Sequence, residues 1–256
     1  MLLWDALEES RVALTSFGAG VVRDASAFLD ACTLPLVVHD HHRAAVLGTA
    51  TLVSVDGRPV LITAAHLFEG GVRFGNLLAP LADGHEFRSL AGARLACNAA
   101  ADIAVLDFLR APAAGDLLHR RHAVPLHRAM QRRRDGHGAT RGDRAMVCGY
   151  PAMLTRFSRG WLAARRLTVF TETRHDATPG SPLDHRFTYG HEAARGDGTW
   201  ARTPELEGMS GAGIWTCEPE GPDAVRLRLA AVQSAYVHGR YLRGHDIDAV
   251  LDLLPA

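Results

Sequence analysis

His66, Asp102 and Ser210 are the residue types of acyl-transfer chemistry, and each lies in a short segment suited to it. These segments are Thr63-Ala64-Ala65-His66, Asp102-Ile103-Ala104-Val105-Leu106 and Gly208-Met209-Ser210-Gly211-Ala212-Gly213. A serine hydroxyl is a poor nucleophile at neutral pH and needs a neighbouring imidazole to take its proton. The imidazole needs a carboxylate to hold its tautomer and to stabilise the imidazolium that forms. Asp102 opens a strand-like run that buries such a group, and Gly208 lets the backbone turn sharply enough for the N–H groups of Gly208 and Ser210 to face an oxyanion. Singly, each segment has an ordinary explanation: a histidine ending a buried strand, an aspartate capping a helix, a serine in a glycine turn. Their joint occurrence, in this order, points to a catalytic set.

The elements that must position these residues follow from hydrophobic periodicity. Short runs rich in branched residues, Leu34 to Val38, Thr49 to Val55, Val60 to Thr63 and Ile103 to Phe108, read as strands of a first barrel, with a hairpin turn at Asp56-Gly57. Ala145 to Cys148, Leu167 to Thr173, Val225 to Ser234 and Tyr241 to Arg243 read as strands of a second, and Ile247 to Leu254 as a closing helix. Apolar positions at helical spacing between residues 3 and 32 predict an N-terminal helical extension around a Gly18-Ala19-Gly20 break. Residues 174–205, rich in Gly, Pro, Asp and His, read as surface loops.

Composition sets the outer bounds. The chain has 256 residues, is 47% hydrophobic, and carries 28 basic against 28 acidic side chains. It is large enough for a good core and has no global pull toward nucleic acid or an anionic membrane. No run approaches the roughly 18 apolar residues that span a bilayer. Cys32, Cys97, Cys148 and Cys217 lack metal or redox spacing, and a cytoplasmic location is the simpler expectation.

With these motifs in order, residues 34 to 254 resemble the trypsin-like (chymotrypsin-fold) serine peptidases, of the bacterial intracellular type. Gly48 to Val53 and Val60 to Ile62 look like the strands leading to the family's histidine. Gly142-Asp143 with Met146 to Pro151 looks like the start of its second barrel, and Ile214-Trp215 and Ala231 to Ser234 like the strands beside its serine. The resemblance implies an all-β fold of two six-stranded antiparallel β-barrels with an N-terminal helical extension and a short C-terminal helix. Its divisions are 1–33 for the extension, 34–112 for the first barrel, 113–141 for an inter-barrel linker and 142–256 for the second barrel and final helix.

It implies a serine endopeptidase acting on proteins or peptides, with Ser210 as nucleophile, His66 as base, Asp102 orienting His66, and Gly208 and Ser210 N–H groups as the oxyanion hole. Pro204, Gln233, Ser234, Ala235 and Tyr236 fall where the family binds substrate, and Ser234 is expected to hydrogen-bond near Asp102. No cofactor and no metal are implied. The chain departs from the family pattern in five places. Pro204 stands at the pocket floor in place of an acid, which removes support for a trypsin-type preference for Arg or Lys. Met209 stands where secreted zymogens carry the activation aspartate, Ala212 replaces a glycine, and Leu67 and Leu206 replace cysteines.

Other readings account for less. An α/β-hydrolase order using Ser210, Asp223 and then His238 or His245 lacks the glycine two residues after the serine and leaves His66 and Asp102 unexplained. His39-Asp40-His41-His42 has no accompanying metal-binding helix motif and reads as a polar loop. His119-Arg120-Arg121-His122 and Arg132-Arg133-Arg134 lie in the linker without interleaved aromatics, which disfavours nucleic acid. The alternative that remains is a catalytically silent or partner-activated peptidase-like binding module, with the N-terminal extension as the contact for an activating protein.

Overall fold

The computed structural model describes residues 2–5, 19–40, 43–81, 86–126, 144–158, 161–174, 184–195, 200–219 and 224–254. These form two antiparallel barrels. The first comprises β2 (Thr33–Asp40), β3 (Arg43–Val55), β4 (Arg58–Ala64), β5 (Leu77–Pro80), β6 (Phe87–Ser89), β7 (Arg94–Asn98) and β8 (Ile103–Asp107), in the order β6-β5-β2-β3-β4-β8-β7. Only residues 90–93 separate β6 from β7, so the two ends of that order meet in one bent segment and six strands make the barrel. Branched and leucine side chains at alternate positions fill it: Leu34, Leu36, Ala50, Leu52, Leu61, Leu77 and Leu106 are fully buried together. The Asp56-Gly57 hairpin is as expected, with φ of +49° and +84° at its two residues.

In the second barrel the strands are β10 (Arg144–Gly149), β13 (Leu167–Glu172), β14 (Asp184–Thr188), β17 (Gly213–Pro219), β18 (Val225–Val237) and β19 (Tyr241–Asp246), ordered β14-β19-β18-β17-β10-β13. It closes through a bridge between Thr173 and Phe187, with Arg174 N–H donating to the Arg186 carbonyl at 2.7 Å. A hairpin of β11 (Thr155–Ser158) and β12 (Trp161–Ala164) projects between β10 and β13. Two helices finish the core. In α1 (Ala19–Cys32) Val22, Ala25, Leu29 and Cys32 are buried at helical spacing. With Val250 and Leu251 of α3 (Asp248–Leu251) they share a cluster that includes Ile62 and Ile103 from the first barrel and Trp215 and Val232 from the second.

Three sequence expectations are corrected. The N-terminal extension is not helical throughout: β1 (Leu2–Asp5) runs parallel to β13, and β15 (Glu192–Arg195) and β16 (Trp200–Arg202) continue the sheet beyond it. A short apolar run such as Leu2-Leu3-Trp4 fits either period, and pairing with a free strand edge decides it. The first part of the expected linker is ordered core, since α2 (Ala114–Arg120) buries Leu117 and β9 (Val124–Leu126) pairs in parallel with β3. The remainder, with Arg132 to Arg134, lies outside the described residues, as do 6–18 of the extension and His41-His42. Finally, the stretch expected to be loops contains β14, a barrel strand. Its apolar signal is only Phe187, followed by Tyr189, both fully buried between polar neighbours.

Candidate active site

β4 and β8 lie side by side, with Ala64 opposite Ile103, and this register sets the last residues of one strand against the first of the other. His66 occupies a 3-10 turn, Ala65–Phe68, directly after β4. Asp102 precedes β8 with φ of +48°, a left-handed conformation that aspartate tolerates better than most residues. The carboxylate is used at two points: Oδ1 accepts the His66 backbone N–H and Oδ2 the ring nitrogen Nδ1, each at 2.8 Å. Ala65 N–H donates to the Asp102 carbonyl at 3.2 Å. A carboxylate only accepts, so Nδ1 holds the proton and the Nε2 lone pair is free to act as base. The Asp102 hydrogen bond holds the His66 pKa above its ordinary 6.5, against the effect of burial and with further help from the Asp102 and Glu69 charges; Arg243 works in the opposite direction.

Ser210 belongs to the second barrel, in the turn before β17, and the first barrel grips that turn. Thr49 N–H donates to the Ser210 carbonyl at 2.9 Å, and Thr49 Oγ1 donates to the Gly208 carbonyl at 2.9 Å while accepting Tyr150 N–H at 3.0 Å. The Thr49 carbonyl accepts Thr63 Oγ1 at 2.6 Å. Glycine is required after the serine: at Gly211, φ +92°, a Cβ would stand 2.1 Å from Thr63 Oγ1 and 2.9 Å from the Ala64 nitrogen. The serine turn is thereby seated on the strand that ends two residues before His66. Among the described residues the Ser210 hydroxyl makes no hydrogen bond to His66.

The peptide units around Gly208 are fixed from the opposite side. Ala152 N–H holds the Glu207 carbonyl at 2.6 Å, and Ala212 N–H holds the Met209 carbonyl at 2.9 Å. Gly208 has φ of +89°, and a Cβ there would lie 2.8 Å from the Ala152 nitrogen. With both carbonyls tied back, the N–H groups of Gly208 and Ser210 have no acceptor among the described residues. Met209 is fully buried in the second barrel with Leu206 and Ala212.

The expected substrate residues divide into two groups. Among the described residues no strand pairs with the β17 side of β18 beyond Val232, while the other side pairs Ala235 with Arg243 and Tyr236 with Leu242. Ser234 to Tyr236 therefore offer an open edge. The Gln233 backbone is already engaged, its carbonyl accepting Gly211 N–H at 2.7 Å and its N–H donating to the Ala212 carbonyl at 2.8 Å. Its fully buried side-chain amide has no partner among the described residues. Pro204 is buried, and its carbonyl accepts the Tyr189 hydroxyl. Tyr236 donates to the neighbouring Glu205 at 2.7 Å, and His238 Nδ1 lies 3.7 Å from the same carboxylate.

Ser234 does not bond Asp102. A bulge between Gln233 and Ala235 turns its hydroxyl to the Arg243 carbonyl at 3.4 Å, with Arg243 Nε donating back at 3.3 Å. Thr49, Ala152 and Arg243 were not legible as site residues, because a strand threonine, a loop alanine and a strand arginine carry no local mark. The buried cysteines stay protonated at neutral pH and supply no thiolate: burial pushes Cys32, Cys148 and Cys217 up to about 12. Among the described residues no His, Cys, Asp and Glu cluster is arranged to hold a metal ion, and no helix is long and apolar enough to cross a membrane.

These two barrels define the chymotrypsin-like double-barrel class of fold. A solved structure from work on how aromatic interactions drive the coupled folding and binding of the intrinsically disordered Sesbania mosaic virus VPg protein is similar to it. The TM-score is 0.50 and the identity 14%, over 88% of this chain and 91% of that one. At that identity the likeness is one of fold. No family model matches the chain, and no curated protein does.

Proposed function

We propose that the chain is a serine endopeptidase, with barrels at 34–112 and 142–256 and a protein or peptide substrate laid across them. The observation that carries this reading is the pair of unpartnered N–H groups at Gly208 and Ser210, beside a histidine bound by aspartate at two points. Ser210 attacks the scissile carbonyl. His66 Nε2 takes the hydroxyl proton and returns it to the leaving amine, and Asp102 holds the ring in the required tautomer. The two N–H groups receive the oxyanion, each worth about 3 to 4 kcal/mol in comparable sites. The open edge of Ser234 to Tyr236 receives extended substrate backbone as an added strand. No cofactor enters these steps.

A silent or partner-activated binding module is the second reading, favoured by the missing Ser210 to His66 hydrogen bond and by the engagement of Tyr236 with Glu205. Intact-mass labelling with a fluorophosphonate separates the two. The expected result is one adduct on Ser210, absent from Ser210→Ala. A folded wild-type protein that takes up no label refutes the peptidase reading.

A further inference from the structure

Four arginines line one cavity of about 830 Å³: Arg120 and Arg121 at the end of α2, and Arg165 and Arg166 between β12 and β13. Asp30 of α1 is the single carboxylate among the residues lining it. It is engaged by Arg166 Nη1 at 2.5 Å and by the Tyr150 hydroxyl at 3.3 Å. Arg121 donates to the carbonyls of Asp30 and Thr33 at 2.9 and 3.2 Å, while its Nε–H is buried with no acceptor among the described residues. Arg120 and Arg165 are exposed, and among the described residues neither has a carboxylate in ion-pair range. One acid thus faces four guanidinium groups. Burial also disfavours the charged form of Arg166, a cost that a bound anion would offset.

Guanidinium forks match phosphate oxygens two at a time, and the cavity falls within the roughly 300–1,000 Å³ of small-molecule sites. Its wall also adjoins the reaction centre. Tyr150, which binds Asp30, donates its N–H to Thr49 Oγ1, and Ala152 two residues later holds the Glu207 carbonyl that sets Gly208. We propose that this cavity binds a small anion bearing two or more phosphate groups, and that occupancy, by drawing Arg166 from Asp30, alters the Tyr150 to Ala152 support of the oxyanion turn. The second half of this rests on the peptidase reading. Nucleoside polyphosphates and inositol polyphosphates share the required chemistry, and inorganic tripolyphosphate contains only that chemistry.

Calorimetric titration of the full chain with tripolyphosphate tests the site without reference to catalysis. The expected result is one binding event that weakens with salt. The affinity falls at least about 100-fold in a folded Arg120→Glu/Arg165→Glu variant, whose substitutions are on exposed side chains. In the wild type, but not in that variant, tripolyphosphate changes the rate of Ser210 labelling by at least about fivefold. Tighter binding of ATP or of inositol hexakisphosphate than of tripolyphosphate supports the proposal and identifies the source. Absent binding, binding indifferent to the double substitution, or affinity for duplex DNA alone overturns the site. Binding without any change in labelling overturns the coupling. Binding by a wild-type protein that never labels leaves the site standing and overturns the peptidase reading instead.

Discussion

The two-point contact between Asp102 and His66 makes a pH prediction with a definite sign. The aspartate hydrogen bond raises the His66 pKa above 6.5; in the proposed mechanism His66 has to be neutral to accept the serine proton, so the acidic limb of kcat/KM is expected above 6.5. In Asp102→Asn the limb moves to lower pH and turnover falls about 10⁴-fold, since the amide also permits the wrong tautomer. Arg243 opposes the raised pKa, so Arg243→Gln moves the limb the other way, to higher pH. A pH–rate series on the three proteins checks both directions, and a limb that stays in place in both variants would refute the assignment of His66 as base. Linkage gives the matching stability statement. A raised histidine pKa contributes stability that is fully present below 6.5 and is lost as pH rises through the raised value, so Asp102→Asn is most destabilised on the acid side.

At the scale of elements, β3 is the strand on which the site is assembled, because Thr49 binds the serine turn, the segment after β10 and the strand leading to His66. Thr49→Val deletes both Oγ1 bonds and leaves the Gly208 carbonyl and Tyr150 N–H unmet, at about 1–3 kcal/mol for each group. The expected result is a lower Tm and, at temperatures where the variant is still folded, slower labelling of Ser210. Thr49→Ser keeps the hydroxyl and is expected to restore the labelling rate. A Tm loss with an unchanged rate would reduce Thr49 to a packing role.

Sequence patterning was informative for these strands in proportion to their burial. β4 and β8 are continuous branched runs and were readable, as were His66 and Asp102 at their ends. β14 was hidden because the buried Asp184 and the half-buried His185 and Arg186 dilute a single Phe187. The grip of Thr49 on the serine turn joins residues 159 apart in sequence, and no local period reports such a contact.

For the whole molecule, the proposed catalysis would depend on the seam between the barrels, because His66 and Asp102 come from one and Ser210 from the other. Helix α1 is part of that seam: Leu29 is fully buried in the cluster that spans both barrels, and the Phe28 ring meets Trp215 edge-on at 5.9 Å. The apolar face of the helix is therefore covered by the protein itself, whatever the rest of the extension does. Leu29→Ala removes a core side chain at the junction without touching either barrel interior. The cost expected from a large-to-small core change is about 2–5 kcal/mol. Loss at a seam shared by both barrels disturbs their relation first, so Ser210 labelling is expected to slow at temperatures where far-ultraviolet circular dichroism still reports full β-structure. A reference change inside one barrel, Leu52→Ala, has its effect through that barrel's own packing and is expected to lose labelling and dichroism together. If Leu29→Ala behaves like Leu52→Ala, with both signals lost in one step, the seam has no separate adjustability and the two barrels act as a single cooperative unit.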